Sequence, residues 1–485
     1  MAEITLSEIA NDIKTPGVYM EIDDKLLSLG LSGKEGVGLI LGQKLAEGTA
    51  AYDKVYTVYS PEDATELGGV GSEIDRMAQI WFKNNENNAL KIVAVEQTSG
   101  QAATYNITLG GENIKAGQTY LLIGGYLVQI DVAEGDTPEE IAAALIEGIN
   151  ETGRMPFTAS SVAEQTSQLL LTAKHKGTAY NKIPMILNYY DGQKTASGLT
   201  ITIAEGAEGS GNVSLAEALA VLGDEYFTDG ITNYSDDANI RLLRDVLAER
   251  FKAMQHNAAS IHLPFMGTFS EYITKAASIN SMHIVLHPCL ESVSMPDEFV
   301  AASVAAITYR TQLNPGLQYR GMKLNGILPA KKALTQKERN LFLNNGVSTV
   351  TVDTSGNVYL ERTVTTYVKN AQNQKTENWL DLCKVKLVTY LRYSFINHMA
   401  AAFPCFKLAD DDFEVQEGQE VATPLTIKAE TMVWAKMCQK AALIEKLNEI
   451  IAAINSSDQN RADELIRPNL INNLMVIAAK MQPTN

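Results

Sequence analysis

The chain has 485 residues, 45% of them hydrophobic and 20% charged, a balance typical of a globular protein with roughly two to four domains. Its formal net charge of −17 argues against direct binding to nucleic acid, and its 4 cysteines without a CxxC pair argue against a disulfide framework. The N-terminus does not resemble a secretory signal, and no segment approaches the roughly 20 apolar residues of a membrane helix, so we expect a soluble protein made in a cytoplasm.

The first 97 residues predict an extended arm and then α/β structure. In residues 1–25, Pro16 and Gly17 break the chain, and residues 18–22 alternate between apolar and polar side chains, as a strand does. No partner strand follows directly. Residues 26–97 contain two runs rich in β-branched and aromatic residues, at 37–41 and 55–59. A helical pattern follows, and then a continuous apolar run at 90–95 that is typical of a strand covered on both faces.

Residues 98–210 predict an inserted β-rich domain, because they are rich in Gly, Thr and Ala. Gly124 and Gly125 separate two apolar runs, which indicates a hairpin, and Thr137, Pro138 and Glu140 predict a helix start with a capping box. Residues 211–323 then resume the alternation of helices and strands. This alternation predicts a doubly wound, mostly parallel sheet that the insert interrupts.

Residues 324–460 predict an α+β C-terminal domain. A helix near 335–343 precedes a β-ribbon, NNGVSTVTVDTSGNVYLERTVTTY at 344–367, which turns at 353–357. A helix around 379–393 and an acidic loop come next, and Thr423 with Pro424 starts a helix that we expect to run toward Ile454. Residues 461–485 predict a second arm, broken by Pro468, with a short apolar run at 474–481. The predicted fold class is therefore multidomain, α/β and α+β, with extended terminal arms.

Signals for catalysis or cofactor binding are weak. LGGVGSEI (67–74) has Gly69 and Gly71 but Ile74 at the third glycine position of a dinucleotide fingerprint, so a helix-start turn is the favoured interpretation. His283, His287 and Cys289 in MHIVLHPC lack a fourth ligand, which favours packing over a metal site. The alternative function is a nucleotide- or metal-dependent α/β enzyme using one of these segments. A third possibility is a carbohydrate-binding role for the insert.

The ribbon and the two arms are the remaining unusual features. A lone strand is not stable in water and needs a sheet edge, which a ribbon can offer. Arg362 shares the ribbon face of Val358, Leu360 and Val364, so we predict that a carboxylate or carbonyl partner lies in the C-terminal domain or on a neighbouring subunit.

Several segments resemble the contractile tail sheath proteins of Mu-like phages and prophage tails. They are TPGVYMEI, GVGSEIDRM, LNGILPAKKALTQKERNLFLNNG with the ribbon that follows it, WLDLCKVKLVTYLRYSF and NRADELIRPNLINNLMVIAAKMQ. The resemblance implies a structural subunit, without catalytic residues, metal or cofactor, that stacks in six-fold rings around an inner tail tube and contracts to drive the tube through the host envelope. It also implies assembly in the bacterial cytoplasm into a virion, and contacts with baseplate and tail terminator proteins, without membrane insertion.

The resemblance further assigns roles to particular residues. Strand donors to other subunits would be Val18, Tyr19, Met20, Glu21 and Ile22 at one end and Leu474, Met475, Val476, Ile477 and Ala478 at the other. The acceptor would be the ribbon, through Val350, Val352, Val358, Leu360, Arg362 and Val364. Contact with the tube would involve a helix at 423–437, with Lys428, Glu430 and Lys436 as candidates.

Overall fold

The computed structural model describes residues 31–290, 292–416 and 418–483, so the N-terminal arm with its predicted donors 18–22 lies outside the described residues. The fold is mixed α/β and divides into two compact units, Glu35–Thr389 and the remainder, of which residues 31–34 and 390–483 are described. No helix in the described ranges combines the length and apolarity that crossing a membrane demands.

The first unit begins with three strands and two helices. They are β1 (Gly38–Gln43), β2 (Val55–Val58), α1 (Pro61–Gly68), α2 (Glu73–Asn84) and β3 (Leu90–Val95). Ser60 and Ser72 cap the two helices by accepting hydrogen bonds from the third residue of each, which satisfies N–H groups that the helix leaves open. Gly38 is required because the ring of Trp81 lies where a side chain would begin.

Residues 102–205 form two antiparallel sheets around one helix. The elements are β4 (Ala102–Gly111), β5 (Gly117–Ile123), β6 (Tyr126–Val132), α3 (Pro138–Glu151), β7 (Phe157–Val162), β8 (Gln165–Lys176), β9 (Met185–Leu187) and β10 (Leu199–Glu205). The sheet orders are β10-β4-β8-β7 and β6-β5-β9. The predicted hairpin is confirmed, with Gly124 and Gly125 at positive φ, and so is the capping box of Thr137 and Glu140.

The chain then returns to the first sheet. The elements are α4 (Ala216–Leu222), β11 (Asp229–Thr232), α5 (Asp237–Phe251), β12 (Ser260–Leu263), α6 (Phe269–Ile279), β13 (Ile284–Leu286) and α7 (Pro296–Leu313). The sheet has the order β13-β12-β11-β1-β3-β2 and is parallel except for β2. Two hydrophobic clusters draw on alternate residues of its strands, and α2 and α7 contribute to one of them.

The ribbon is shorter than predicted. After α8 (Gln336–Asn344) come β14 (Thr349–Val352) and β15 (Val358–Arg362), and then α9 (Leu382–Ala402). We expected strands at 347–352 and 358–367. They stop earlier because the base of the ribbon turns to β13, where the N–H groups of Ser348 and Thr366 donate to Leu286 and Ile284.

The boundary expected at residue 323/324 falls inside the first unit. Val358 and Leu360 of β15 and Leu382 of α9 pack into the same cluster as Trp81, so the ribbon shares a core with the parallel sheet.

The second unit differs from the prediction in the helix expected from Thr423 to Ile454. It contains the end of α9, then β16 (Lys407–Leu408), β17 (Val421–Ala422), α10 (Pro424–Lys440), β18 (Ile444–Ile454) and β19 (Ala462–Leu470). The helix predicted to run from Thr423 to Ile454 ends at Lys440, and residues 444–454 form a strand instead. Pro468, predicted to break a terminal arm, lies within β19 beside a bulge, where a missing N–H is tolerated.

Candidate assembly surfaces

The N–H groups in the turn before α2 are hydrogen-bonded within the chain. The N–H of Gly71 donates to Asp75, the N–H of Asp75 to Ser72, and the N–H of Glu73 to Nε2 of His175. Groups that would bind an anion at a helix N-terminus are therefore already occupied by the chain itself. LGGVGSEI is a helix start, as the favoured interpretation held.

A buried polar cluster joins α2, α7 and the insert. The Arg76 guanidinium donates to Asp297 (2.6 Å), Glu298 (3.1 Å) and the Tyr180 hydroxyl (2.8 Å), and the Tyr126 hydroxyl donates to Glu298 (2.5 Å). One cation thus faces two carboxylates without access to water. Burial raises the pKa of Glu298 to about 7, with Arg76 opposing the shift and Asp297 adding to it.

We expect the stability of the fold to fall between pH 5 and pH 8 because of this carboxyl. Its folded pKa lies above the ordinary 4.5, so the stabilisation is complete below that value and is lost as the pH rises through about 7. In Glu298→Gln, the free energy of unfolding should lose up to about 3 kcal/mol less across this pH range than in the wild type. Chemical denaturation of both proteins across this range measures it, and parallel curves for the two would contradict the assignment.

A second buried cluster holds the histidines. Asp229 lies 2.7 Å from the Lys386 ammonium and 3.2 Å from His262 Nε2, while His262 Nδ1 lies 2.9 Å from His287 Nε2. Burial acts to raise the pKa of Asp229, but Lys386 and His262 outweigh it and keep the pKa below its usual range. Burial lowers the pKa of both histidines, so they stay neutral. The hydrogen bond between them links β12, which carries His262, to His287 just after β13.

The predicted His283, His287 and Cys289 trio does not form a metal site. His283 packs against Phe251, whereas His287 stacks on His262. Across the described ranges, no three His, Cys, Asp or Glu side chains come close enough together to hold a metal ion. The packing interpretation therefore accounts for these residues.

The β14–β15 ribbon has one occupied edge. Leu324 donates its N–H to Val358 and Leu360 donates its N–H to Met322, both at 2.9 Å, so residues 321–324 cover β15. The outer edge of β14 carries no third strand within the described chain. Of the predicted acceptor side chains, Val358, Leu360 and Val364 are buried, Val350 is half-buried and Val352 is exposed.

The partner predicted for Arg362 is a carboxylate, that of Asp381. The guanidinium donates from Nε (2.8 Å) and from Nη2 (2.9 Å) to its two oxygens. This two-pronged geometry satisfies the cation on a face that is otherwise apolar. Of the two predicted locations, the C-terminal domain and a neighbouring subunit, the partner lies in the first.

The β18–β19 hairpin is a functional candidate that the sequence reading missed. It packs on α10 and exposes Ile451 and Leu465, and each strand keeps an outer edge in the described structure. Ile444, Leu447, Ile450, Ile451 and Ile454 follow helical spacing, which favoured a helix. The polar turn at 455–461 and four isoleucines in eleven residues were the available signals for a hairpin.

Residues 471–483 have no regular secondary structure and are largely exposed. Val476 is 78% and Ile477 79% exposed, and Leu474 and Met481 are exposed as well. A run of apolar residues in water is unusual for a folded protein and marks an interaction surface. The predicted C-terminal donors thus lie in an exposed segment without regular secondary structure.

The tube-facing candidates do not share one surface of α10. Lys428 and Lys436 are exposed on the same stripe as Leu425 and Met432. Glu430 instead lies 2.8 Å from Nε2 of His398 on α9, within the second unit. Trp434, one turn after Glu430, holds this face of α10 against α9: its indole N–H donates to Ser394 (3.1 Å) and its ring packs on Phe395.

Comparisons with known proteins agree with a structural role. Residues 208–366 match the family described as the phage tail sheath protein central domain. The chain is 27% identical, over 99% of both sequences, to the Mu-like prophage FluMu tail sheath protein of Haemophilus influenzae. Its fold is similar to the sheath tail protein of Desulfitobacterium hafniense, with a TM-score of 0.50 and 11% identity, covering 94% of this chain and 100% of that one.

These matches overturn the alternative of a nucleotide- or metal-dependent enzyme. The family match and the curated relative are both to tail sheath proteins, and the relative spans the whole chain. The chain therefore matches the phage tail sheath central domain over residues 208–366 and is similar over its whole length to a tail sheath protein, which supports a structural role in contractile tails and not an enzymatic one.

Proposed function

We propose that the chain polymerises as stacked six-fold rings around an inner tail tube, that strands donated by both termini link the subunits, and that contraction drives the tube through the host envelope. The exposed apolar segment 474–478, in a chain that also carries two-stranded sheets with open edges, is the observation that carries this proposal. Assembly in the bacterial cytoplasm, and contacts with baseplate and tail terminator proteins at the ends of the sheath, complete it.

The donor segment gains on docking in two ways. Its main chain replaces water with ladder hydrogen bonds, each worth about 0.5–1.5 kcal/mol net, and its apolar side chains leave water at about 25 cal/mol per Å². Per subunit the sum is modest. Because every subunit would dock its own segment, these contacts would link each subunit of the polymer to its neighbours while the folded cores remain free to rotate.

The β18–β19 hairpin is the acceptor that we favour. Its strands have 11 and 9 residues and two outer edges, whereas the ribbon strands have 4 and 5 residues, and β15 is already covered. A longer edge pairs with more of a donor segment, which is how β-augmentation gains affinity. The outer edge of β14, with Val350 and Val352, stays as the second acceptor candidate.

Contact with the inner tube is assigned to α10. Its exposed stripe combines Leu425 and Met432 with the cations Lys428 and Lys436, which suits a surface that carries carboxylates. Glu430 contributes less than predicted, because its carboxylate lies beside His398.

Disulfide trapping distinguishes the two acceptors. In a Cys405→Ser background, chains with Val476→Cys are mixed with chains carrying Ile451→Cys, Leu465→Cys or Val352→Cys, and the assembled polymer is oxidised. Cys405 is removed because it is exposed, while the other 3 cysteines are buried. We expect linked dimers with the Ile451 or Leu465 variant.

The control pairs Val476→Cys with Met254→Cys, an exposed site in the turn after α5. Linkage to the Val352→Cys variant alone would show that the acceptor is the ribbon and not the β18–β19 hairpin. If polymers form but none of the three positions links above the control, donation of the C-terminal strand is refuted.

A further inference from the structure

A basic groove lies between α8 and the loop that follows the ribbon. Its volume is about 520 Å³, its apolar floor is formed by Leu341 and Val368, and Lys337, Lys369 and Lys375 stand around it. No carboxylate lines it. Leu341 is 46% exposed, a large fraction for a leucine on a short helix whose other face is in the core.

Two of these lysines oppose each other directly. Lys369 and Lys375 form an antiparallel bridge, so their side chains leave the same face of a narrow hairpin. Like charges in that position repel and destabilise the hairpin. None of the three lysines has an ion-pair partner in the described part of the chain, so the groove carries uncompensated positive charge.

The second unit carries an acidic segment, opposite in charge to the groove. Between β16 and β17, residues 409–420 hold six acidic residues and no basic one. The described residues of this loop are almost all exposed, including Phe413 at 48% and Val415. An exposed aromatic ring between Asp412 and Glu414 is the complement of an apolar floor ringed by lysines.

We propose that the acidic loop of one copy docks into the basic groove of a second copy, with Phe413 against Leu341 and the flanking carboxylates facing the three lysines. Each chain then offers one groove and one loop. Two different, complementary patches on a single chain give a head-to-tail contact, which generates open helical polymers when the rotation does not close. The inference rests on the proposed polymer and adds a contact that does not use the terminal segments.

Charge reversal tests the contact. Lys337→Glu, Lys369→Glu and Lys375→Glu together should raise the threshold concentration for polymer formation about tenfold at low salt, because attraction becomes repulsion. Adding Asp410→Lys, Asp412→Lys and Glu414→Lys to the same chain should restore the threshold. Lys115→Glu, Lys194→Glu and Lys252→Glu, which are exposed elsewhere and change the charge equally, are the control and should shift it less than twofold.

Disulfide trapping decides the case if a charge variant fails to fold. In the Cys405→Ser background, chains with Leu341→Cys are mixed with chains carrying Val415→Cys, and linked dimers are expected in the polymer. Equal thresholds for the reversed and control variants, or a disulfide formed only within one chain carrying both changes, would overturn the inference and leave the polymer proposal intact. Wild-type protein that never polymerises would contradict the proposed function itself.

Discussion

A single proline in the C-terminal segment is expected to stop polymer growth while the subunit stays folded. Val476→Pro removes the N–H at the middle of the proposed donor and fixes a backbone angle that a paired central residue does not keep. Because Val476 is 78% exposed in the isolated chain, the substitution costs no packing there. Sedimentation and electron microscopy at matched concentrations measure polymer formation, and circular dichroism with thermal melting verifies the fold.

Gln482→Pro is the matched control, because it places the same residue in the same tail outside the donor. It should polymerise as the wild type does. Full polymer formation by the Val476→Pro variant would show that the backbone of this segment takes no part in a ladder between subunits, whatever its side chains do.

Loss of the Arg76 guanidinium is expected to cause the largest change in subunit stability. Arg76→Met keeps the length of the side chain but leaves Asp297 and Glu298 buried without a cation, which should cost about 3–5 kcal/mol. Tyr180 also loses its donor, so the insert should loosen from α2 and α7. Trp81 on α2 is fully buried and reports the change through its fluorescence during denaturation.

Lys115→Met serves as the comparison, since the Lys115–Glu134 pair is exposed on both sides. Its loss should change the free energy of unfolding by less than about 1 kcal/mol. Equal stabilities for the two variants would mean that the buried cluster adjusts its protonation and contributes nothing net.

Local signals in the sequence were sufficient for most of the first unit. The strand at Leu90–Val95 begins and ends where its pattern predicts, because a strand covered on both faces has a nearly continuous apolar run. The capping boxes at Thr137 and Thr335 and the hairpin at Gly124 also follow from residues close in sequence.

The features that the sequence predicted wrongly or missed depend on contacts between residues distant in sequence. Residues 444–454 have apolar spacing that suits a helix, but pairing with β19 decides the strand, and that partner lies beyond a seven-residue turn. The ribbon strands end early because Ser348 and Thr366, at the base of the ribbon, donate hydrogen bonds to β13, which lies far from both in the sequence. The Arg76 cluster joins positions more than 200 residues apart, so only the folded chain brings it together.

A density map of the assembled wild-type protein, at a resolution that separates strands, tests the central claim most directly. The account predicts that residues 474–478 of one copy lie as a strand against the outer edge of β18 or β19 in another. A map in which each tail folds back on its own chain, or lies outside every sheet while the subunits still stack, would contradict it.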